Sequence, residues 1–233
     1  MNTFRLRHIR QYIRITLAIA AKDLRAEARG RKILAVWASM GILLLVVFYV
    51  TITLSQIAFA TVAPSVLWFI FALIGTIGLG RGFHQEYSLG GWQALLISPI
   101  NHSAIYFGKL LSNLIVTLIA EIAVIVAFSI IYHWPVDSMG MLLVLILGTT
   151  GFMGVGTLVS AFLADKPTKE LLLPVMVLPI VIPIIALSSQ LTSTVLAQPL
   201  TSDWIIVILF LLGYDAIIII AGAAAFSFIA ELY

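Results

Sequence analysis

The sequence predicts an all-α polytopic membrane protein, with six transmembrane helices following an N-terminal amphipathic interfacial helix. Three observations lead there. Hydrophobic residues make up 62% of the 233 positions and charged residues only 10%, whereas soluble domains are about 45–50% apolar and about 25% charged. The apolar residues come in continuous blocks of about 18 or more, enough to cross about 30 Å of hydrocarbon at about 1.5 Å per residue, and they do not alternate as barrel strands do. The 13 Lys and Arg residues are crowded at the start, with only Arg81, Lys109, Lys166 and Lys169 beyond position 32. That asymmetry orients a membrane chain.

Two parts follow from this pattern: residues 1–32, the interfacial helix, and residues 33–233, the six spans. Over residues 3–29 the apolar side chains of Phe4, Ile9, Tyr12, Ile13, Thr16, Leu17, Ala20 and Leu24 recur near a 3.6-residue period, while seven Arg and Lys side chains from Arg5 to Arg29 occupy other faces. A basic amphipathic helix of this kind is expected in the headgroup plane of an anionic leaflet. Its charged region is far longer than that of a signal peptide.

Gly30 ends this helix, and span one runs from Ile33 to about Gln56. A short uncharged link with Pro64 leads into span two, about Val62 to Gly80. Span three covers about Ala104 to Tyr132, followed by a tight turn over His133–Asp137 that carries the interfacial Trp134. Span four covers about Met139 to Ala164, and the charged loop Asp165–Glu170 follows it. Span five is about Leu171 to Leu191, and the polar run Ser188–Asp203 separates it from span six, about Trp204 to Ala230. Six spans put both termini on one side. With the N-terminus cytoplasmic, every Lys and Arg outside the spans falls on that side, as positive-inside topology requires.

The longest stretch between spans is Arg81–Lys109. Charge and amide groups at Arg81, His84, Gln85 and Glu86 precede a Gly90–Gly91 break, and an apolar turn from Trp92 to Ile97 is stopped by Pro99. Such a piece can lie across a membrane surface as a short helix. It reads either as an ordinary connection or as a docking element for a cytoplasmic partner.

Inside the spans, Glu121 and Asp215 stand near the middle of spans three and six, where an ionised carboxylate costs at least about 2.5–3.5 kcal/mol. Both must face protein or water, as substrate-path carboxylates or as groups that fix helix packing. Span four carries Gly148, Gly151, Gly154 and Gly156, then Ser160 and Ala164, a pattern for close helix approach. Pro174, Pro179 and Pro183 make span five a kinked or partly re-entrant segment.

The absences also inform. Gly108-Lys109 lacks the preceding Gly and following Ser or Thr of a phosphate loop, so the chain carries no nucleotide motif and is expected not to be an enzyme. No catalytic or metal-binding residue is assigned: there is no cysteine, and His8, His84, His102 and His133 are scattered over separate segments.

Several strings resemble a known family: Lys22-Asp23-Leu24-Arg25-Ala26-Glu27, Gly78-Leu79-Gly80-Arg81-Gly82-Phe83 with Glu86, and Leu95-Leu96-Ile97-Ser98-Pro99. Further along stand Gly108-Lys109 with Asn113-Leu114, Gly148-Thr149-Thr150-Gly151-Phe152 with Gly156-Thr157-Leu158, and Lys169-Glu170-Leu171-Leu172-Leu173-Pro174 with Pro179 and Pro183. In this order around six spans they resemble the B subunit of the bacterial cytochrome c maturation system, the haem exporter protein B family of ABC-2-like permeases.

The resemblance implies a permease-like subunit of the cell inner membrane that pairs with a separate cytoplasmic ABC ATPase, as two copies of each. It also implies a haem-handling membrane protein and a small single-span protein as neighbours, with ATP hydrolysis driving release of a haem-loaded periplasmic chaperone. The loop 81–103 would be the coupling helix in a cleft of the ATPase, with Arg81, Phe83, Glu86, Trp92, Ser98 and Pro99 as its residues, and the N-terminal helix an interfacial elbow. The tryptophan-rich segment of the haem-handling partner is missing here, so no haem or other cofactor is assigned to this chain. The run Ser188–Asp203 matches no family pattern. Two other functions fit the same spans: an ABC-2-type exporter of a lipid, drug or peptide, and a proton-coupled secondary transporter using Glu121 and Asp215.

Overall fold

In hydrocarbon every backbone N–H and C=O must be satisfied within the protein, and an uninterrupted apolar run does this by closing its own helix. The computed structural model describes residues 2–29, 32–56, 58–88, 100–132, 139–166, 168–197 and 202–231. Among these the chain is all helical: α1 (Asn2–Arg29), α2 (Lys32–Leu54), α3 (Phe59–Ser88), α4 (His102–Tyr132), α5 (Met139–Phe162), α6 (Lys169–Ala197) and α7 (Ser202–Glu231). The six from α2 to α7 are each long and apolar enough to cross a bilayer.

α5 is the hub, because it is built to be approached from several sides. A Cβ on Gly148 would strike the Trp68 ring of α3 and Ser188 Oγ of α6, and one on Gly156 would strike Leu79 of α3. The missing side chains are what let these neighbours reach the α5 backbone. α2 and α7 lie at the rim. Val36, Leu43, Val47 and Leu54 of α2 and Ile205, Leu209, Ile217 and Ile220 of α7 face outward, where a chain of this composition meets lipid.

At the end where α2 stops and α3 starts, aromatic rings gather. Phe59 stacks on Tyr132 at 3.9 Å between centroids, Tyr49 meets Tyr132 edge-on, and Tyr132 Oη donates to the Leu45 carbonyl at 3.1 Å. Amphipathic rings at one level suit a membrane–water boundary. α2 ends as Gln56 turns into the left-handed region with φ of 53°.

Four features differ from the sequence reading. Pro64 lies inside α3, whose first turn starts at Phe59 rather than near Val62. α3 also continues to Ser88, so the first eight residues of the 81–103 stretch are helix and not loop. α6 runs unbroken for 29 residues through Pro174, Pro179 and Pro183, which replaces the partly re-entrant alternative with a continuous spanning helix. Its buried stripe of Leu173, Val177, Val181, Ile184 and Ser188 leaves the prolines off the packed face, with Pro179 and Pro183 exposed.

The polar run from Ser188 was expected to be a separating loop, yet α6 carries it as helix to Ala197. The hydroxyls make this possible by bonding back one turn: Thr192 Oγ1 donates to the Ser188 carbonyl at 2.7 Å and Thr194 Oγ1 to the Gln190 carbonyl at 2.9 Å.

Candidate functional site

Two groups of side chains carry the chemistry: one at the end of the bundle that bears residues 81–101, and one buried in the spans.

α3 and α4, at 30 and 31 residues, are each about 45 Å long, against about 30 Å of hydrocarbon. The apolar part of α3 ends at Leu79, so the excess projects where residues 81–101 connect the two helices. Arg81, Phe83 and Glu86 therefore fall on the backbone of a helical extension, and their side chains lie outside the described residues. Trp92, Ser98 and Pro99 lie outside the described residues altogether.

The return into α4 is fixed. Asn101 caps the helix, its Oδ1 accepting from Ser103 N at 3.0 Å and from Ser103 Oγ at 2.7 Å. Ser103 Oγ spends its proton on that bond, so at 3.0 Å it accepts from Tyr12 Oη of α1.

From there α1 runs alongside the first turns of α4. Tyr12 meets Phe107 edge-on, and a Cβ on Gly108 would press into Ile19 and the Thr16 carbonyl at 2.8–3.0 Å. Farther along, Asp23 Oδ2 pairs with Lys109 Nζ at 2.9 Å. Lys109 is only 1% exposed. Asp23 Oδ1 also lies 3.4 Å from Lys22 Nζ, and Ser112 Oγ, which donates to the Lys109 carbonyl at 2.9 Å, sits 3.5 Å from Asp23. The apolar face expected to meet headgroups is thus divided: Ile9, Ile13 and Leu17 stay exposed, while Tyr12, Thr16, Ile19 and Asp23 turn to α4. α1 is therefore a packing element of the bundle.

In the spans, Glu121 is buried and Thr149 Oγ1 donates to its Oε2 at 2.7 Å. That bond is one rung of a ladder along the α4–α5 seam. Thr117 Oγ1 lies 3.6 Å from Met153 Sδ, and Asn113 Nδ2 donates to Thr157 Oγ1 at 3.1 Å. Each rung is four residues from the last on both helices, as two antiparallel helices in register require. Ser160 Oγ and Tyr106 Oη add bonds to the Leu79 and Gly154 carbonyls at 2.8 and 3.0 Å.

Asp215 sits on another side of α5, pressed so closely on Gly151 that a Cβ there would strike its Oδ1. Neither carboxylate oxygen has a hydrogen-bond partner among the described residues. Glu121 and Asp215 are therefore not brought together: they contact α5 at Thr149 and Gly151, two residues apart and so on opposite faces of the helix.

Between α3 and α6, Trp68 Nε1 donates to Thr192 Oγ1 at 2.8 Å. Behind it, beside Glu121 and Thr149, is a void of about 10 Å³, at the lower limit of room for one water. On the outer side of the same seam a groove of about 600 Å³ opens. Hydroxyl and amide groups of Thr61, Ser65, Ser189, Gln190 and Ser193 line its end away from the 81–101 connection, and Phe69, Leu178, Ile182 and Ile185 line the rest. Among the described residues that line it there is no His, Met, Cys or Tyr, the side chains that ligate haem iron.

The Asp23–Lys109 pair, the rungs at Asn113, Thr117, Thr149 and Thr157, and the Trp68–Thr192 bond went unassigned in the sequence reading. The four-residue spacing Asn113, Thr117, Glu121 was a visible signal for the ladder. The ion pair joins residues 86 positions apart and had none.

No curated protein matches the chain. Residues 14–229 match the family model described as CcmB protein, and a chain matched over nearly its whole length, with six spans and an all-helical fold, belongs to that family, the haem exporter membrane subunits of cytochrome c maturation.

Proposed function

We propose that this chain is the membrane lever of an ABC-type complex: a separate cytoplasmic ATPase moves the 81–103 segment, and the spans deliver that movement to the outer face, where a haem-loaded periplasmic chaperone is released. Two copies of the chain work with two of the ATPase in the cell inner membrane, beside a haem-handling membrane protein and a small single-span protein. Both termini are cytoplasmic.

The observation that carries this reading is the projection of α3 through Ser88 and its return into the capped start of α4. A force on a flexible loop would be lost in the loop, whereas a force on the end of a helix is carried by its hydrogen-bonded backbone into the bundle. Arg81, Phe83 and Glu86 lie on that projecting helix, and Trp92, Ser98 and Pro99 complete the segment that rests on the ATPase. Glu121 and Asp215, held against opposite faces of α5, serve as pivots about which α4 and α7 shift. Pro174, Pro179 and Pro183 give α6 points of bending, because each removes a backbone bond.

The test is the double variant Glu86→Lys with Trp92→Ala. It is expected to insert normally and to leave ATP hydrolysis uncoupled, so that c-type cytochromes fail to mature. Normal maturation in that variant would refute the coupling role of the segment.

A further inference from the structure

The contacts between α1 and α4 are concentrated where the 81–103 segment enters the membrane. Tyr12 bonds Ser103, and through it Asn101, at the first turn of α4. One and a half turns on, Gly108 admits the Thr16 carbonyl and the Ile19 side chain of α1. Immediately beyond, Asp23 and Lys109 pair at 2.9 Å, with Lys109 buried and Ser112 beside them.

The character of this pair is unusual for its place. A lysine two turns from the start of a helix that projects toward water ordinarily extends its ammonium to solvent, since its stem is long enough to do so. Here the ammonium is turned inward onto a second helix. Burying it carries a desolvation cost that packing alone would avoid, because an apolar residue at the same place would hold the helices together at least as well. What a charge pair adds is register: it fixes one position of α1 along α4, as an apolar contact, which slides, does not.

We propose that Asp23 and Lys109 form a latch that makes α1 and the first three turns of α4 one rigid body, so that a push on the 81–103 segment moves the interfacial helix and the third span together. Asp23 and Lys109 are positioning residues: they touch no nucleotide and no cargo. The inference rests on the coupling role given to 81–103 above. Without the latch, α4 would tilt under the push while α1 stayed with the headgroups through Ile9, Ile13 and Leu17, and part of the stroke would be lost.

The experiment uses the chain co-expressed with its ATPase and the rest of the maturation complex, and reads cytochrome c matured per ATP hydrolysed. Asp23→Asn and Lys109→Met are each expected to lower that ratio about tenfold, a coupling change of ordinary allosteric size. The exchanged pair, Asp23→Lys with Lys109→Asp, is expected to restore most of it. Exchange no better than either single variant would overturn the latch, as would single variants with the wild-type ratio.

A second measurement needs no substitution at the pair. Spin labels at the exposed Leu17 and at the half-buried Leu111, within those first three turns of α4, report the spacing of α1 and α4 in the complex with and without ATP. The latch requires an unchanged distance, and a change of more than about 5 Å, one helical turn, would overturn it. A wild-type complex in which hydrolysis and maturation proceed independently would sink the coupling reading and the latch together. A coupled complex whose labels separate would sink the latch alone.

Discussion

Replacing Gly148 by Ala tests the packing on which every proposed movement depends. The added methyl would collide with the Trp68 ring and with Ser188 Oγ. The ring cannot yield freely, since its Nε1 is bonded to Thr192 Oγ1 at 2.8 Å and the residue is 2% exposed. Inserting a methyl into a filled site costs about 1–3 kcal/mol, and losing the Trp68–Thr192 bond adds about 0.6 kcal/mol, the average for a hydrogen bond between membrane helices. Against this, Ala is favoured over Gly within a helix by about 0.5–1 kcal/mol. The net expectation is destabilisation by about 1–3 kcal/mol. Gly213→Ala is the control, because a Cβ at that position would meet no neighbouring helix or side chain within 4 Å among the described residues, and there the helix-propensity gain of about 0.5–1 kcal/mol should stand alone. Unfolding in mixed detergent–SDS micelles, followed by tryptophan fluorescence, measures both. In a Trp68→Leu background Gly148→Ala should cost much less, since substitutions in contact are not additive. Equal stability of Gly148→Ala and Gly213→Ala in the native background would refute the account of α5 as a hub approached through its glycines.

Two further outcomes follow from the spans. In a double-mutant cycle on Thr149→Val and Glu121→Leu, each of which removes the bond, the coupling energy should be about 0.6 kcal/mol, the average for bonds between membrane helices, and no more than about 1.7 kcal/mol; a value indistinguishable from zero would show that the bond does not hold the α4–α5 seam. Pro179→Ala with Pro183→Ala restores two backbone donors on the exposed face of α6, so the bundle should unfold at higher SDS while cytochrome maturation slows; maturation at the wild-type rate would rule out bending at these residues as part of the stroke.

The architecture was written in the sequence because a bilayer leaves few choices. An apolar run long enough to cross it must become a helix, and the position of Lys and Arg orders the loops. The glycines of α5 were equally plain, since a helix bare of side chains at Gly148, Gly151 and Gly156 can only be meant for close neighbours. What escaped were features set by tertiary context. Thr192 and Thr194 look like loop residues until their hydroxyls are seen bonding the preceding turn. Pro64 reads as part of the short link into span two, yet it sits inside α3 near its start, where few backbone bonds depend on its missing donor. Lys109 reads as an ordinary loop-side cation, and its partner Asp23 lies in a helix whose charges all read as headgroup-facing. Only the docking of α1 on α4 joins them.

In the proposed coupling, the end of α3 that projects past its apolar span, through Ser88, bears on a cytoplasmic engine. A photo-reactive amino acid placed at Glu86 of the chain in intact cells tests it most directly. The account predicts a cross-link to the cytoplasmic ATPase that is lost when the ATPase gene is absent. Cross-links from position 86 to periplasmic proteins instead would contradict both the orientation and the coupling role.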